Sequence, residues 1–189
     1  MKKLFILGFM LLSTLACNAQ ETKPLETEKD YYSPETGIPQ NISYFKDINH
    51  LLDKYIGTWK GALGTKNYVF VITKITDKPG RIMRDRLLIR YLITSTNGSV
   101  IEDTRSTTDS NCPIRGDYIK KSNYVLRYAG KDTQCGQIGT VFIGMVPNTN
   151  NTKMGLSLSQ DHVLLDSETC PNGRVPQVLP LTQVLLTKQ

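Results

Sequence analysis

The sequence predicts an all-β protein: one antiparallel meander of about eight to ten strands, closed or nearly closed as a lipocalin-like barrel, with one short N-terminal helix. Short apolar and β-branched segments alternate with turn signals such as residues 77–80 (Asp-Lys-Pro-Gly) and Asn97-Gly98. No helical segments alternate with these strands, which argues against a parallel α/β sheet. A meander of this size usually closes into a barrel, because closure removes the exposed sheet edges.

The N-terminus has the pattern of an export signal. A pair of lysines precedes an uncharged and mostly apolar run, Leu4–Leu15. This run is too short to cross a membrane as a helix and fits the apolar part of a signal peptide, predicted here as residues 1–16. The following Cys17 resembles the lipidated cysteine of bacterial lipoproteins, with cleavage after Ala19 as the alternative. Asn18 then favours an outer-membrane lipoprotein, and cleavage after Ala19 a periplasmic or secreted protein.

Residues 17–42 are predicted to form a disordered tether, because they hold three prolines, many charges and few large aliphatic side chains. The predicted barrel domain covers residues 43–189. Loss of residues 1–16 lowers the net charge from +6 to +4. The basic cluster between Lys74 and Arg90 is therefore interpreted as solvated strand edge, and no nucleic-acid partner is expected. The protein is expected to be a monomer.

The helix is predicted over about residues 44–54, where Phe45, Ile48, Leu51 and Leu52 recur at three- and four-residue spacing. From residue 56 onward the pattern changes to that of strands. The strands are predicted over residues 57–63, 68–75, 86–94, 99–104, 118–128 (one strand or a tight hairpin about Ser122-Asn123), 139–146, 153–158, 162–165 and 181–187.

Residues 51–61 join the helix end to the first strand and contain Gly57 and Trp59, the only tryptophan. This Gly-x-Trp pattern resembles the start of the lipocalin and fatty-acid-binding-protein barrels. The resemblance implies that the glycine lets the chain enter the first strand tightly and that the tryptophan packs across the barrel floor. In lipocalins an arginine near the end of the last strand covers the tryptophan, whereas residues 181–189 contain only Lys188 as a basic residue.

The exported N-terminus, the Gly57-Thr-Trp-Lys60 start and the closing Leu-Thr-Lys-Gln189 also resemble a group of short bacterial secreted proteins and putative lipoproteins with a domain of unknown function. This resemblance covers the whole architecture, with specific matches at the two ends. It implies no catalytic residues.

Several strands are apolar on both faces, so one face could line a ligand cavity. Tyr118, Tyr124 and Tyr128 share one parity if residues 118–128 form a single strand. An outward aromatic patch for a partner and ordinary strand tyrosines are the alternatives. The candidate ligand-binding residues are Trp59, Tyr68, Phe70, Tyr91, Tyr118, Tyr124 and Tyr128.

Three cysteines besides Cys17 suggest one disulfide and one free thiol. The strand count places Cys112 and Cys170 at the same end of the sheet, so this pair is predicted to be the disulfide, which leaves Cys135 free. A Cys-x-x-Cys motif is absent, which argues against a redox enzyme.

The sequence lacks a Gly-x-Ser-x-Gly elbow, a His-Glu-x-x-His motif and a phosphate-binding loop. Only two histidines are present, His50 and His162, and a Cys135–His162 dyad is conceivable only through a tertiary contact. We therefore expect no enzyme activity, no metal site and no cofactor; an exported hydrolase is the enzymatic alternative.

Two binding functions follow from these features. The first is a cell-envelope protein that holds a small apolar or amphipathic ligand inside the barrel; an interior filled by side chains would remove it. The second is an interaction, inhibitor or immunity-type lipoprotein that binds another envelope protein through the polar loops 105–116, 129–137 and 147–152.

Overall fold

The computed structural model describes residues 20–32 and 37–189. These residues form one 11-stranded sheet. Its strands are β1 (Glu21–Pro24), β2 (Ile42–Lys46), β3 (Gly57–Leu63), β4 (Lys66–Asp77), β5 (Met83–Ser95), β6 (Val100–Asp103), β7 (Ile114–Lys120), β8 (Asn123–Ala129), β9 (Ile138–Met145), β10 (Lys153–Gln160) and β11 (Val184–Lys188). Short 3₁₀ helices span Leu25–Tyr31, Asp53–Tyr55 and Thr133–Cys135.

Eight of the strands close into an antiparallel barrel. β3, β4, β5, β7, β8, β9, β10 and β11 pair in chain order, and β11 returns to β3 through the pair Lys188 and Trp59. β5 pairs with β7 through Leu88 and Arg115, and this contact completes the circle. The prediction of an all-β, closed antiparallel barrel is confirmed.

β5 is the longest strand and holds three partners along one edge. β2 pairs with its start, β7 with its middle and β6 with its end. β1 and β2 therefore extend the sheet outside the barrel. They are joined to it by parallel pairing between Tyr44 and Met83 and between Phe45 and Arg84.

Because the strands alternate in direction, the connections gather at two ends. The sealed end, as we name it, holds residues 47–56 and the turns at 78–82, 121–122 and 146–152. The loop end holds the turns at 64–65 and 96–99 and the segments 130–137 and 161–183.

The core occupies the barrel interior, which alternate residues of each strand fill. Trp59, Phe70 and Tyr91 are direct neighbours across β3, β4 and β5, and each is fully buried. The remaining strands contribute aliphatic side chains, such as Val141 and Leu156, that are equally inaccessible to solvent. The interior is therefore a packed core.

The predicted helix over residues 44–54 is wrong. Residues 42–46 form β2 instead, and only Asp53–Tyr55 is helical, as a single 3₁₀ turn. The helix-like spacing arises because Phe45 and Leu52 both face the core from a strand and a turn. Ile48, which the helix would have buried, is 47% exposed, and His50 has a left-handed φ of 54° that a helix would not tolerate.

The predicted disordered tether is wrong for residues 21–31. This segment pairs with β2 as β1 and then forms a 3₁₀ helix that buries Leu25 and Glu28. The Glu28 carboxylate forms an ion pair with Arg84 of β5. Composition could not reveal this order, because it depends on pairing with β2 and on the contacts of Leu25 and Glu28 with distant parts of the fold. The predicted signal peptide (residues 1–16), the lipidation site Cys17 and residues 33–36 of the tether lie outside the described residues.

Two further strand predictions change. Residues 114–129 form a hairpin that turns at Lys121 and Ser122, which confirms the hairpin alternative. The predicted strand over residues 162–165 is wrong, because the chain is irregular from 161 to 183. Among the described residues no helix is long and apolar enough to cross a membrane.

Candidate functional site

Trp59 closes the barrel at the sealed end. Gly57 enters β3 with a φ of 128°, a conformation that favours glycine. The indole Nε1 of Trp59 donates a hydrogen bond to the carbonyl oxygen of Tyr55 at 2.7 Å. The ammonium of Lys188 lies 5.4 Å from the ring centroid, within range of a cation–π interaction. The lysine of the last strand thus covers the ring where the resemblance implied an arginine.

Six of the seven predicted ligand-binding residues lie inside the barrel. Trp59, Phe70 and Tyr91 are 0% exposed, Tyr124 and Tyr128 are 1% exposed, and Tyr68 is 3% exposed. A space wide enough for one water molecule would leave accessible surface on the rings around it. These rings instead pack on one another and on aliphatic side chains, so the interior described here has no room for a ligand beside them.

The seventh residue, Tyr118, lies on the outer face. The register of β7 against β8 shifts between Gly116 and Tyr118, and this bulge turns Tyr118 away from the interior. Its ring packs edge-on against Tyr32 at 5.7 Å. Tyr118 therefore does not share a face with Tyr124 and Tyr128, and the shared parity expected for a single strand is wrong.

The hydroxyl groups of Tyr91 and Tyr128 are buried in the barrel interior. The Tyr91 hydroxyl donates to the Glu102 carboxylate at 3.0 Å. Burial raises the pKa of Tyr128 to about 12. Burial also raises the pKa of Tyr91, and the nearby Tyr128 and Glu102 add to that effect. These tyrosines remain protonated at physiological pH and pack in the core.

The disulfide joins Cys135 and Cys170, with a Cα–Cα distance of 5.5 Å. The predicted Cys112–Cys170 pair is wrong. The β6–β7 connection descends along β5 rather than staying at the loop end, so the Cys112 thiol lies beside the carbonyl of Ile89, 3.4 Å away. Cys112 is free and buried. A disulfide indicates an oxidising environment of the kind met by exported proteins.

The surroundings of the cysteine and histidine side chains bear on the dyad considered from the sequence. Cys135 is held in the disulfide, so a dyad with His162 lacks its thiol. Burial raises the pKa of the Cys112 thiol, which lowers its fraction of reactive thiolate. The exposed His50 contacts Asp53 at 2.9 Å. Among residues 20–32 and 37–189, no group of three His, Cys, Asp or Glu side chains is placed to hold a metal ion.

A hydrogen-bond network of charged and hydroxyl groups stabilises the sealed end. The Asp85 carboxylate accepts hydrogen bonds from the hydroxyls of Tyr44 and Thr76, both at 2.6 Å, and from the Asp47 amide at 2.9 Å. Burial would raise the pKa of Asp85, but these donors and the nearby Lys74 outweigh it and hold the pKa below its usual value. Each Asp85 oxygen has a partner, so this network joins the N-terminal segment to β4 and β5.

At the loop end, residues 161–183, hereafter the disulfide loop, are fixed at their base. Besides the disulfide, the Val175 amide donates to the Cys135 carbonyl at 2.9 Å. The Gln137 side chain donates to the Pro176 carbonyl at 3.0 Å. Leu179 is 2% exposed and closes this part of the core. The base of the loop is therefore part of the folded domain.

The tip of the disulfide loop projects into solvent. Leu164 is 101% exposed, which means that no part of its side chain packs on the protein. Leu165 is 36% exposed beside it. Irregular loops longer than about 15 residues are uncommon in compact domains and are usually functional when ordered. The sequence pattern predicts a strand over residues 162–165, and the local signal for an exposed tip is the apolar pair Leu164-Leu165 between Asp161 and Asp166.

Comparison with known proteins adds one finding. The whole chain, residues 1–189, matches a family described as a family of unknown function (DUF6705). No curated protein and no solved structure was found to be similar to the chain.

Proposed function

Because the chain belongs to the DUF6705 family, whose function is unknown, we propose from the geometry that it is a non-enzymatic interaction protein that binds another protein through the disulfide loop. The observation that carries this proposal is the fully exposed Leu164 on a loop whose base is fixed. An interior filled by aromatic rings supports surface binding over carriage of a small apolar ligand in the barrel.

The energy for binding would come from the leucines. Burying an exposed leucine side chain is worth roughly 1.5–3 kcal/mol. Interface energy concentrates in a few such anchors that fill pockets on the partner. The Leu164 side chain, which packs on nothing, can fill a pocket without any part of the barrel unpacking.

The charges of the tip define the partner's surface. Asp161, Asp166 and Glu168 surround the leucines in sequence, and only Arg127 forms a described ion pair with one of them, Asp161, at 3.3 Å. An apolar pocket with a basic rim would match this pattern, since complementary charge favours encounter and register. The partner is therefore proposed to be a protein with such a pocket.

The disulfide supports this function by ordering the loop before binding. A loop that is already fixed loses less conformational entropy on association. The Gly136 carbonyl accepts hydrogen bonds from the side chains of Gln160, at 3.3 Å, and Gln177, so the base is held from both sides. The tip is thus presented by a rigid support.

We also propose export to the cell envelope of a bacterium. Residues 1–16 would be removed as a signal peptide, and Cys17 would carry a lipid that anchors the protein to the outer membrane; without the lipid it would be periplasmic or secreted. The Cys135–Cys170 disulfide is in keeping with this compartment. The partner would then be another envelope protein.

Site-specific photo-crosslinking in producing cells tests the proposal. A benzoylphenylalanine at position 164 should join one envelope protein, whereas the same group at Lys121, exposed at the sealed end, should not. The captured protein, once purified, should bind Leu164→Asp at least about tenfold more weakly than the natural chain. The same crosslinked products from both positions, or unchanged affinity of Leu164→Asp, would refute it.

A further inference from the structure

A groove lies on the outer face of β8, β9 and β10, near the sealed end. Gly144 of β9 stands directly opposite Gly155 of β10, and Asn123 of β8 stands beside Gly144. Two neighbouring glycines leave bare backbone where the other rows carry side chains. The resulting groove has a volume of about 310 Å³.

Gly144 and Gly155 leave open the space that two neighbouring side-chain carboxamides occupy. Neither Gly144 nor Gly155 has a positive φ. A Cβ on Gly155 would lie 2.1 Å from Nε2 of Gln183, and a Cβ on Gly144 would lie 2.4 Å from Oδ1 of Asn123. Both carboxamides therefore lean across the glycines into the groove.

These carboxamides are available to a ligand. Asn123 and Gln183 are both exposed. Asn123 is the first residue of β8, and Gln183 directly precedes β11. No hydrogen bond joins either side-chain carboxamide to the described part of the protein. Each carries two N–H donors and one carbonyl acceptor, and the Ser157 hydroxyl adds one donor and further acceptor capacity.

The rest of the lining is apolar and uncharged. Phe142 is half-buried and pairs with Ser157 across the strands. The lining includes the apolar Val146 and Pro147 beside Phe142. It contains no Asp, Glu, Lys, Arg or His, so the groove offers nothing to pair with a phosphate, a carboxylate or an ammonium group.

We propose that this groove binds a neutral carbohydrate. Sugar hydroxyls both donate and accept hydrogen bonds, which matches two carboxamides and a hydroxyl, and the C–H face of a sugar ring matches the apolar side of Phe142. Strand addition by a peptide does not fit, because the groove lies on the face of a closed barrel whose strands are already paired on both sides here. Gln183 is the last residue of the disulfide loop, but the groove is separate from the exposed tip at Leu164 and does not rest on the protein-binding function.

Nuclear magnetic resonance titration of the full-length protein tests this site with three probes: chitotriose, maltotriose and cellotriose. At least one probe should shift the amide resonances of Gly144, Gly155 and their neighbours. Asn123→Ala and Gln183→Ala should each weaken that binding about fivefold, or about 1 kcal/mol. Gln134→Ala, which removes an exposed carboxamide at the loop end, should leave it unchanged.

Gly155→Ala supplies a second variant, because its methyl group should displace the Gln183 side chain and weaken binding at least as much. Thermal unfolding of each variant shows that the fold is retained, and the exposed Asn123 and Gln183 make loss of the fold unexpected. Three results would overturn the proposal: no shifts with any of the three sugars, shifts confined to the interior or to the loop tip around Leu164, or equal affinity of the Asn123 and Gln183 variants and the natural chain.

Discussion

The two ends of the barrel are closed by different means. At the sealed end, Trp59 is buried beneath Lys188, and the Asp85 network ties the N-terminal segment to β4 and β5. At the loop end, a covalent bond and backbone hydrogen bonds hold the base of a loop whose Leu164 side chain packs on nothing. The sealed end buries its apolar side chains, such as Trp59, whereas the loop end exposes Leu164 to solvent.

This difference bears on function. Side chains that contribute packing energy are buried already, so they can bind a ligand only if the core opens. Side chains such as Leu164 contribute no packing and can be buried by a partner without cost to the fold. We therefore expect substitutions of the buried Trp59 and Asp85 at the sealed end to change stability, whereas substitutions at the loop tip change binding alone.

The largest effect is expected for Trp59→Ala. Removal of this fully buried ring should lower the free energy of unfolding by about 3–5 kcal/mol, since it leaves a cavity in the barrel floor. Urea unfolding measures the loss, and Leu181→Ala, at a 56% exposed leucine, is the control. A loss below about 1 kcal/mol would show that the sealed end is not part of the packed core.

The next effect concerns the disulfide. The bond joins residues 35 apart in sequence, so Cys170→Ser should destabilise the oxidised protein by about 3–4 kcal/mol. Cys112→Ser should leave the disulfide intact, as thiol alkylation and mass spectrometry of the denatured protein would show. Loss of the bond in Cys112→Ser, with retention of a bond in Cys135→Ser, would instead support the pairing predicted from sequence.

A smaller and pH-dependent effect is expected for Asp85→Asn. The folded protein holds the pKa of Asp85 below its unfolded value, so this carboxylate stabilises the fold above about pH 4 and the contribution is lost as pH falls through the folded pKa. Asp85→Asn should cost about 1–3 kcal/mol at pH 7. The gap to the natural chain should narrow between about pH 5 and pH 3.

Urea unfolding at several pH values measures this gap, with the exposed Asp132→Asn as control. The pKa of Glu28 is shifted in the opposite direction, because burial raises it and outweighs the effect of Arg84. Glu28 therefore favours the fold more as pH falls. Both proteins in the comparison retain Glu28, and its contribution cancels. A gap that stays constant with pH would contradict the role assigned to Asp85.

The smallest effect is expected for Leu164→Ser. Because this side chain packs on nothing, the free energy of unfolding should change by no more than about 0.5 kcal/mol, while partner binding weakens. Thermal and urea unfolding check the first part. A clear loss of stability would mean that the loop tip packs on the barrel in solution.

The strands were predictable because their signals are local. Alternation and turn residues such as Asn97-Gly98 define most barrel strands within a few residues of their observed bounds. The bulge beside Tyr118 and the path of the β6–β7 connection depend on register against distant strands. A sequence pattern does not report the register of a strand against a distant strand or the path of a connection. For this reason the shared face of Tyr118, Tyr124 and Tyr128 and the Cys112–Cys170 pair are wrong predictions.

The order of the N-terminal segment and the exposure of Leu164 were hidden in the same way. β1 is ordered because β2 pairs with β5 some forty residues later, a contact that composition does not report. Leu164-Leu165 has the composition of a short strand, whereas the chain is irregular from 161 to 183 and its base is held by the disulfide and by backbone hydrogen bonds. Local chemistry predicted the barrel, and tertiary contacts determined the site.

If the barrel interior is a packed core, as the buried rings indicate, binding takes place on the surface. Native mass spectrometry of the protein purified from its own host, compared with its mass after denaturation, distinguishes this from carriage of a ligand in the barrel. The free chain should have the same mass in both states, and a complex should carry an added mass that is that of a protein. A small apolar molecule bound at one copy per chain would refute surface binding.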